Sequence, residues 1–411
     1  MKEAGKSGIT RRQFGLRALG YGTMATLGVE AATLGRRVLG RPGRVFAAAS
    51  QADINGPNTL QAHAATHQRL FGAAVVPSLL DVDGVAAGHT TDAYTQLYAA
   101  QTGILVAENE MKWSGLRPAP DRFDFTQADR MIRFAQLTGK KVRGHNLCWH
   151  QALPGWFAKT ATKDNARQLL TDHIRAVAGH FRAQIHSWDV VNEAIAPEDG
   201  QPDGLRNSPW FQLIGPDYIE LAFRTAAEAD PQAILTYNEY GIETDWADNV
   251  EKRARMLALL RRLKAAGVPV GALGLQAHLS AHGAQPGPGV VELIREAGRM
   301  GLQVYVTEMD VNDRGVEGDT AARQEAVAKV YRNFLKLVLP EPNAPLVLTW
   351  GLLNGKSWLH YQGLNDPKDK RPLAQKIEED HRQEPLLFDD DYNPVPAFWA
   401  VREALDTAPA A

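Results

Sequence analysis

Cysteine is nearly absent from this chain of 411 residues, in which Cys148 stands alone. One thiol excludes an intrachain disulfide and cannot by itself build a thiolate metal cluster. Its apolar and aromatic neighbours make core packing the better reading of Cys148 than a nucleophile. An excess of charge of either sign is also missing, since 45 basic residues face 47 acidic ones. No basic footprint for nucleic acid or for an anionic membrane follows from that balance, and a neutral substrate suits it. No stretch of the mature chain approaches the roughly 20 apolar residues needed to span a bilayer, so no membrane association is expected. H-E-x-x-H and His-x-His are lacking too, so no metal or other cofactor is expected, although His145, His150, His278 and His282 are the residues that would supply ligands.

The first residues read as a passenger. Thr10-Arg11-Arg12-Gln13-Phe14-Gly15-Leu16 has the form of a twin-arginine export signal, and Ala47 and Ala49 offer an A-x-A cleavage site before Ser50. Glu30, Arg36 and Arg37 interrupt the apolar run that such a signal carries, and a disordered basic tail is the competing reading. The expected organisation is a signal region over 1–49, a polar spacer over 50–66, one catalytic domain over 67–406 and a tail over 407–411, in a protein that is exported to the periplasm or secreted and acts as a monomer.

Within the domain, strand and helix patterns alternate. Strands are predicted over 70–76, 103–107, 141–144, 185–191, 233–237, 272–275, 304–307 and 346–349. Helices are predicted over 91–101, 126–138, 164–181, 217–229, 247–266, 289–300, 320–338 and 396–405. Pro, Gly and Asp over 197–204 mark a surface loop, and Gly267 and Gly301 stop helices. Eight such pairs without a glycine-rich phosphate loop after the first strand make a single α/β (β/α)8 TIM barrel more economical than an open doubly wound sheet.

Chemistry in a barrel of this kind collects at the C-terminal ends of its strands. Those ends carry Glu108, Asn109, His145, Asn192, Glu193, Asn238, Gln276, His278, Glu308 and Trp350. The apolar run 185–191 breaks into Asn192 and Glu193, and 304–307 runs out into Glu308 and Asp310. Two carboxylates delivered to one cleft suggest acid/base work on a glycosidic bond. Carboxamides and imidazoles match hydroxyls that both donate and accept, and Trp149, Trp350 and Trp358 are the candidates for stacking on sugar rings. His278 is placed to keep Glu308 ionised, with Asp310 orienting its ring. Lys112 lies on the loop after the second strand, where only Glu108 and Asn109 argue for substrate contact.

On these residues the chain resembles glycoside hydrolase family 10, the retaining endo-β-1,4-xylanases, over about 67–405. The motifs are ENEMKW (108–113), VRGHNLCWHQALPGWF (142–157), WDVVNEA (188–194), LRNSPWFQLIGPDYI (205–219), LTYNEYGIE (235–243), GLQAHL (274–279), VTEMDV (306–311) and LLFDDDYNPVPAF (386–398). The resemblance implies Glu193 as general acid/base, Glu308 as nucleophile, Asn192 as partner of the sugar 2-hydroxyl, and His278 and Asp310 as modulators of the nucleophile. It implies that Glu108, Asn109, Lys112, His145, Trp149, Gln276, Trp350 and Trp358 line the non-reducing side. The substrate would be xylan or xylo-oligosaccharides. Another β-1,4-glycan, an aryl glycoside, or a non-catalytic carbohydrate-binding barrel are the alternatives. The chain departs from the family pattern at Asn354 and Lys356, which stand where an acidic residue and an aromatic are usual. It departs again at Glu239 and Gly241, in place of an aspartate and an asparagine beside Tyr240. Those positions bear on subsite affinity and chain-length preference, not on the two glutamates. Retention requires carboxyl groups about 5 to 5.5 Å apart, and environments that push their two pKa values in opposite directions.

Overall fold

The computed structural model describes residues 53–362 and 370–411. The twin-arginine stretch, its cleavage site and the expected signal region lie outside the described residues. Among the described residues nine strands form, β1 (Leu70–Val75), β2 (Ile104–Ala107), β3 (Lys141–Cys148), β4 (Ser187–Asn192), β5 (Ile234–Glu239), β6 (Ala272–Leu275), β7 (His278–Ser280), β8 (Gln303–Asn312) and β9 (Leu346–Thr349). Every ladder is parallel, consecutive strands from β1 to β6 pair in order, β9 joins β1 to β8, and a β6–β8 pairing closes the ring. The result is an eight-stranded barrel, and β7 is a short continuation of β6 that pairs only with the far end of β8.

Helices α1 (Ala93–Gln101), α2 (Thr126–Leu137), α3 (Ala166–His180), α4 (Tyr218–Ala229), α5 (Ala247–Ala265), α6 (Pro288–Arg299), α7 (Thr320–Val338) and α8 (Pro396–Thr407) cover the outside. Their ends follow local chemistry. Asp92 and Asp319 cap α1 and α7 by accepting from Thr95 N and Ala322 N, while Pro288 and Pro396 open α6 and α8 where a missing N–H costs nothing. Buried strands with apolar residues on both faces, such as Ile104-Leu105-Val106-Ala107, suit a parallel sheet covered by helices. Gly144 of β3 is fixed by packing, because a Cβ there would meet the Trp188 ring at 2.0 Å.

Two strands run further than the residue pattern predicts. β3 continues past Gly144 to Cys148 and β8 past Thr307 to Asn312, each through a register irregularity against its neighbour, between His145 and Cys148 and between Val306 and Met309. Irregularities of this kind re-aim side chains, and both lie where polar residues interrupt the apolar run. The spacer before residue 67 contains a helix, Leu60–Thr66, with Leu60 and Ala64 fully buried in the core that α8 also joins. The C-terminal residues are docked as well, through Ala411 N to His67 O at 3.1 Å and Arg69 to the Pro409 carbonyl. Among the described residues no helix is long and apolar enough to cross a membrane.

Candidate active site

The barrel interior changes character along its axis. Ala74, Ile104, Val106, Ala272, Tyr305, Leu346 and Leu348 form an apolar layer. Above it come buried charges, with Arg143 ion-paired to Asp189 and donating from Nε to Ser187 Oγ at 3.1 Å. Asp189 spends its other oxygen on His145 Nδ1 at 2.9 Å. A buried charge persists only when paired, and this pairing turns His145 toward the top of the barrel, where its Nδ1 lies 3.9 Å from Glu308 Oε1. His145, Asp189 and Glu308 could in principle converge on a cation. Both Asp189 oxygens are already committed to Arg143 and His145, so the donor set is spent within the protein.

Three carboxamides then link the two glutamates. Asn238 Nδ2 donates to Glu308 Oε1 at 2.6 Å and to Asn192 Oδ1 at 2.8 Å, and its own Oδ1 accepts from Thr307 Oγ1 at 2.8 Å. Gln276 Nε2 donates to Asn192 Oδ1 at 3.3 Å and to Glu193 Oε1 at 3.1 Å, and Asn192 Nδ2 donates to the same Glu193 oxygen at 3.1 Å. Glu308 also faces His278 Nε2 at 3.3 Å, whose Nδ1 lies 2.8 Å from Asp310 Oδ1; Trp358 Nε1 donates to Asp310 Oδ2 at 2.6 Å.

The two carboxyls are both buried yet diverge electrostatically. At Glu308, burial acts to raise the pKa, but His145, His278 and the Asn238 hydrogen bond outweigh it and hold the group down at about 2. At Glu193, burial and then the negative charge of Glu239 push the pKa up, against the hydrogen bond from Gln276 and the charge of Arg206. Burial works against a charged His278, but Asp310 and Glu308 raise it well above the ordinary imidazole range, so it carries a proton. One carboxyl is poised as an anion and the other as an acid, the division of labour that glycosidic cleavage needs.

The model for Glycosyl hydrolase family 10 matches residues 59–404. The chain belongs to that family. Beta-1,4-xylanase of Dictyoglomus thermophilum is 34% identical over 317 residues, which cover 75% of this chain and 83% of that protein. Exoglucanase XynX of Acetivibrio thermocellus is 34% identical over 353 residues, 82% of this chain and 29% of that much longer protein. The crystal structure of xylanase 10B from Thermotoga petrophila RKU-1 in complex with xylobiose aligns with a TM-score of 0.72 at 32% identity, covering 85% of this chain and 97% of that one.

In this family 10 barrel the remaining predicted residues fall on two flanks. On one, Lys112 Nζ donates to Asn109 Oδ1 at 2.9 Å and sits 5.3 Å above the Trp149 ring and 5.6 Å from that of Trp350. Burial, eased by Lys112 and added to by Glu110, raises Glu108 to about 7. Trp350 is buried and meets the His145 and His278 rings edge-on at 5.3 and 6.4 Å. On the other flank, Tyr240 accepts from Arg206 Nη2 at 3.1 Å and lies under Lys252 Nζ at 3.5 Å. His282, weighed as a metal ligand, lies instead beside Gly315. Asn354, one of the departures, is buried; it donates to Glu384 Oε2 at 2.6 Å and accepts from Leu386 N at 2.8 Å, so it organises the loop after β9.

Arg143, Asp189, Arg206 and Lys252 escaped the strand-end rule, and Glu239 was read only as a departure beside Tyr240. For Arg143 and Asp189 a signal was present, because a charge inside an apolar strand such as Trp188-Asp189-Val190 demands a buried partner. No strand-end position announced which residue that partner was.

Proposed function

We propose that the chain is a retaining endo-1,4-β-xylanase, in which Glu308 attacks the anomeric carbon while Glu193 protonates the departing glycosidic oxygen. The observation that carries this reading is a pair of buried carboxyls, joined through Asn192, Asn238 and Gln276, whose pKa values are pushed in opposite directions. Glu308 is ionised across the working range and attacks as a carboxylate. Glu193 gives its proton to the leaving sugar, so no alkoxide has to depart. Formation of the glycosyl-enzyme removes the negative charge of Glu308, which lowers the proton affinity of Glu193 and leaves it as the base that activates water. Two inversions at one carbon return the starting configuration.

Xylan is the substrate favoured by the relatives named as xylanases and by the xylobiose complex of a structural neighbour. Glu108, Asn109, Lys112, His145, Trp149, Trp350 and Trp358 would receive the non-reducing side, Asn192 the 2-hydroxyl of the reacting sugar, and Tyr240 the leaving group. A second reading, another β-1,4-glycan, is favoured by the similarity to Exoglucanase XynX. The test is reducing-sugar release from xylan and from a soluble cellulose derivative by the wild type, Glu193→Ala and Glu308→Ala. Xylan turnover that both substitutions abolish is expected; turnover of cellulose alone would move the assignment to glucan, and full activity without Glu308 would remove the mechanism. Export and a monomeric state belong to the same proposal. Replacing Arg11 and Arg12 by lysine should retain the protein in the cytoplasm, and light scattering should give the mass of one chain.

A further inference from the structure

Glu193 sits at an awkward point of the chain. Its φ is +59°, in the left-handed region, which strains a residue with a side chain. Such a conformation lasts only where surrounding bonds impose it, and here they converge on one buried carboxylate. Glu239, at the end of β5, is fully buried and accepts at Oε2 from Ile195 N at 3.2 Å and from the Tyr237 hydroxyl at 2.6 Å. The same hydroxyl oxygen accepts from Ala194 N at 3.2 Å. Both residues that follow Glu193 are therefore tied to Glu239, one directly and one through Tyr237. Arg206 Nε holds the carbonyl of Glu193 itself at 2.7 Å. At its other oxygen Glu239 accepts from Tyr240 N at 3.2 Å and from Lys252 Nζ at 2.9 Å, and Lys252 then covers the Tyr240 ring.

We propose that Glu239, paired with Lys252 of α5, is a positioning residue for Glu193. Its carboxylate pins the backbone beyond the acid/base and keeps behind it a negative charge that Lys252 offsets only in part. This rests on the role of Glu193 given above. The longer side chain found here, in place of the aspartate usual in the family, reaches the two amides and the ammonium together. The same pair ties the acid/base to the leaving-group flank, since both Tyr240 N and the Tyr240 ring are held by it. The other charged or titratable groups around Glu193 are His150 from the loop after β3, 3.9 Å from Oε2, Arg206 from the loop after β4, Lys112 after β2, Glu308 on β8, and Cys148 of β3 and Tyr218 of α4, which line the same pocket. His150 is kept neutral by burial and by Arg206 and Lys252. Glu239 thus stands as a negative charge that acts on Glu193.

The test is the alkaline limb of kcat/KM on a xylo-oligosaccharide, which reports the free enzyme's acid. Glu239→Gln removes the negative charge and should move the limb down by about half a unit to one unit. Lys252→Met leaves Glu239 uncompensated, still held by Tyr237 and two amides, and should move it up by a similar amount. Opposite shifts are not the signature of general loosening, which lowers rates without a signed change in the profile. Should Glu239→Gln not fold, the upward shift in Lys252→Met carries the test alone. Limbs that stay in place, or that move in the same direction, overturn the proposal. Failure of the underlying reading looks different: Glu193→Ala would then keep both its activity and its alkaline limb.

Discussion

Removing the imidazole of His278 should expose how strongly the site holds Glu308, the proposed nucleophile, in the ionised form. In the wild type Glu308 is held down at about 2, below the ordinary glutamate value of 4.5, a difference worth about 3 kcal/mol in favour of the anion. His278 contributes both a hydrogen bond and a positive charge to that difference. In His278→Ala only His145 and Asn238 remain to oppose burial, and Asp310 loses the cation that faced it. The pKa of Glu308 should climb by about 1–2 units. Its sign follows from the mechanism: the enzyme needs Glu308 ionised, so activity is lost as the pH falls through this pKa, and the acid limb must move upward. At pH 3 the variant should retain about a half to a tenth of its plateau kcat/KM, where the wild type stays near its plateau. The assay is kcat/KM on a xylo-oligosaccharide from pH 2 to 8, with circular dichroism confirming the fold at each acidic point. An acid limb that stays put, or moves down, would refute the assignment of His278 as the group that keeps Glu308 charged.

Asp189→Asn should cost about 3–5 kcal/mol in urea unfolding, because Arg143 is then a buried cation without its counter-ion; a loss below 1 kcal/mol would mean that water reaches Arg143. Glu108, neutral in the fold at low pH, contributes stability that is lost as the pH rises from 4.5 through about 7. Glu108→Gln should therefore raise Tm relative to wild type at pH 8 and leave the difference small at pH 4, and equal effects at both pH values would contradict the burial of that charge.

The proposed catalytic pair was legible because a parallel strand announces itself by a run of β-branched and apolar residues. The first polar residue after such a run has to lie at a barrel mouth. Glu193 and Glu308 both satisfy that rule, as do Asn192, Asn238 and Gln276, which the structure joins into one hydrogen-bonded chain. The rule is blind below the rim. Arg143 and Asp189 lie within strands, and their pairing depends on the register between β3 and β4, where Gly144 faces Trp188 and Arg143 faces Ser187. No local pattern encodes that register. Lys252 reads as one of many charged positions on α5, and only the tertiary fold turns it toward Glu239. Strand ends were misjudged at His145 and at Glu308 for a related reason. Polar residues there are paid for by buried partners, so the ladder continues through them to Cys148 and to Asn312.

Proton NMR of the first product released from xylan tests the central claim most directly. The account predicts the β-anomer at early times, slow appearance of the α-anomer by mutarotation, and no hydrolysis by Glu308→Ala. An α-anomer formed first, or the same product at the same rate from Glu308→Ala, would contradict attack by Glu308 and the double displacement built on it.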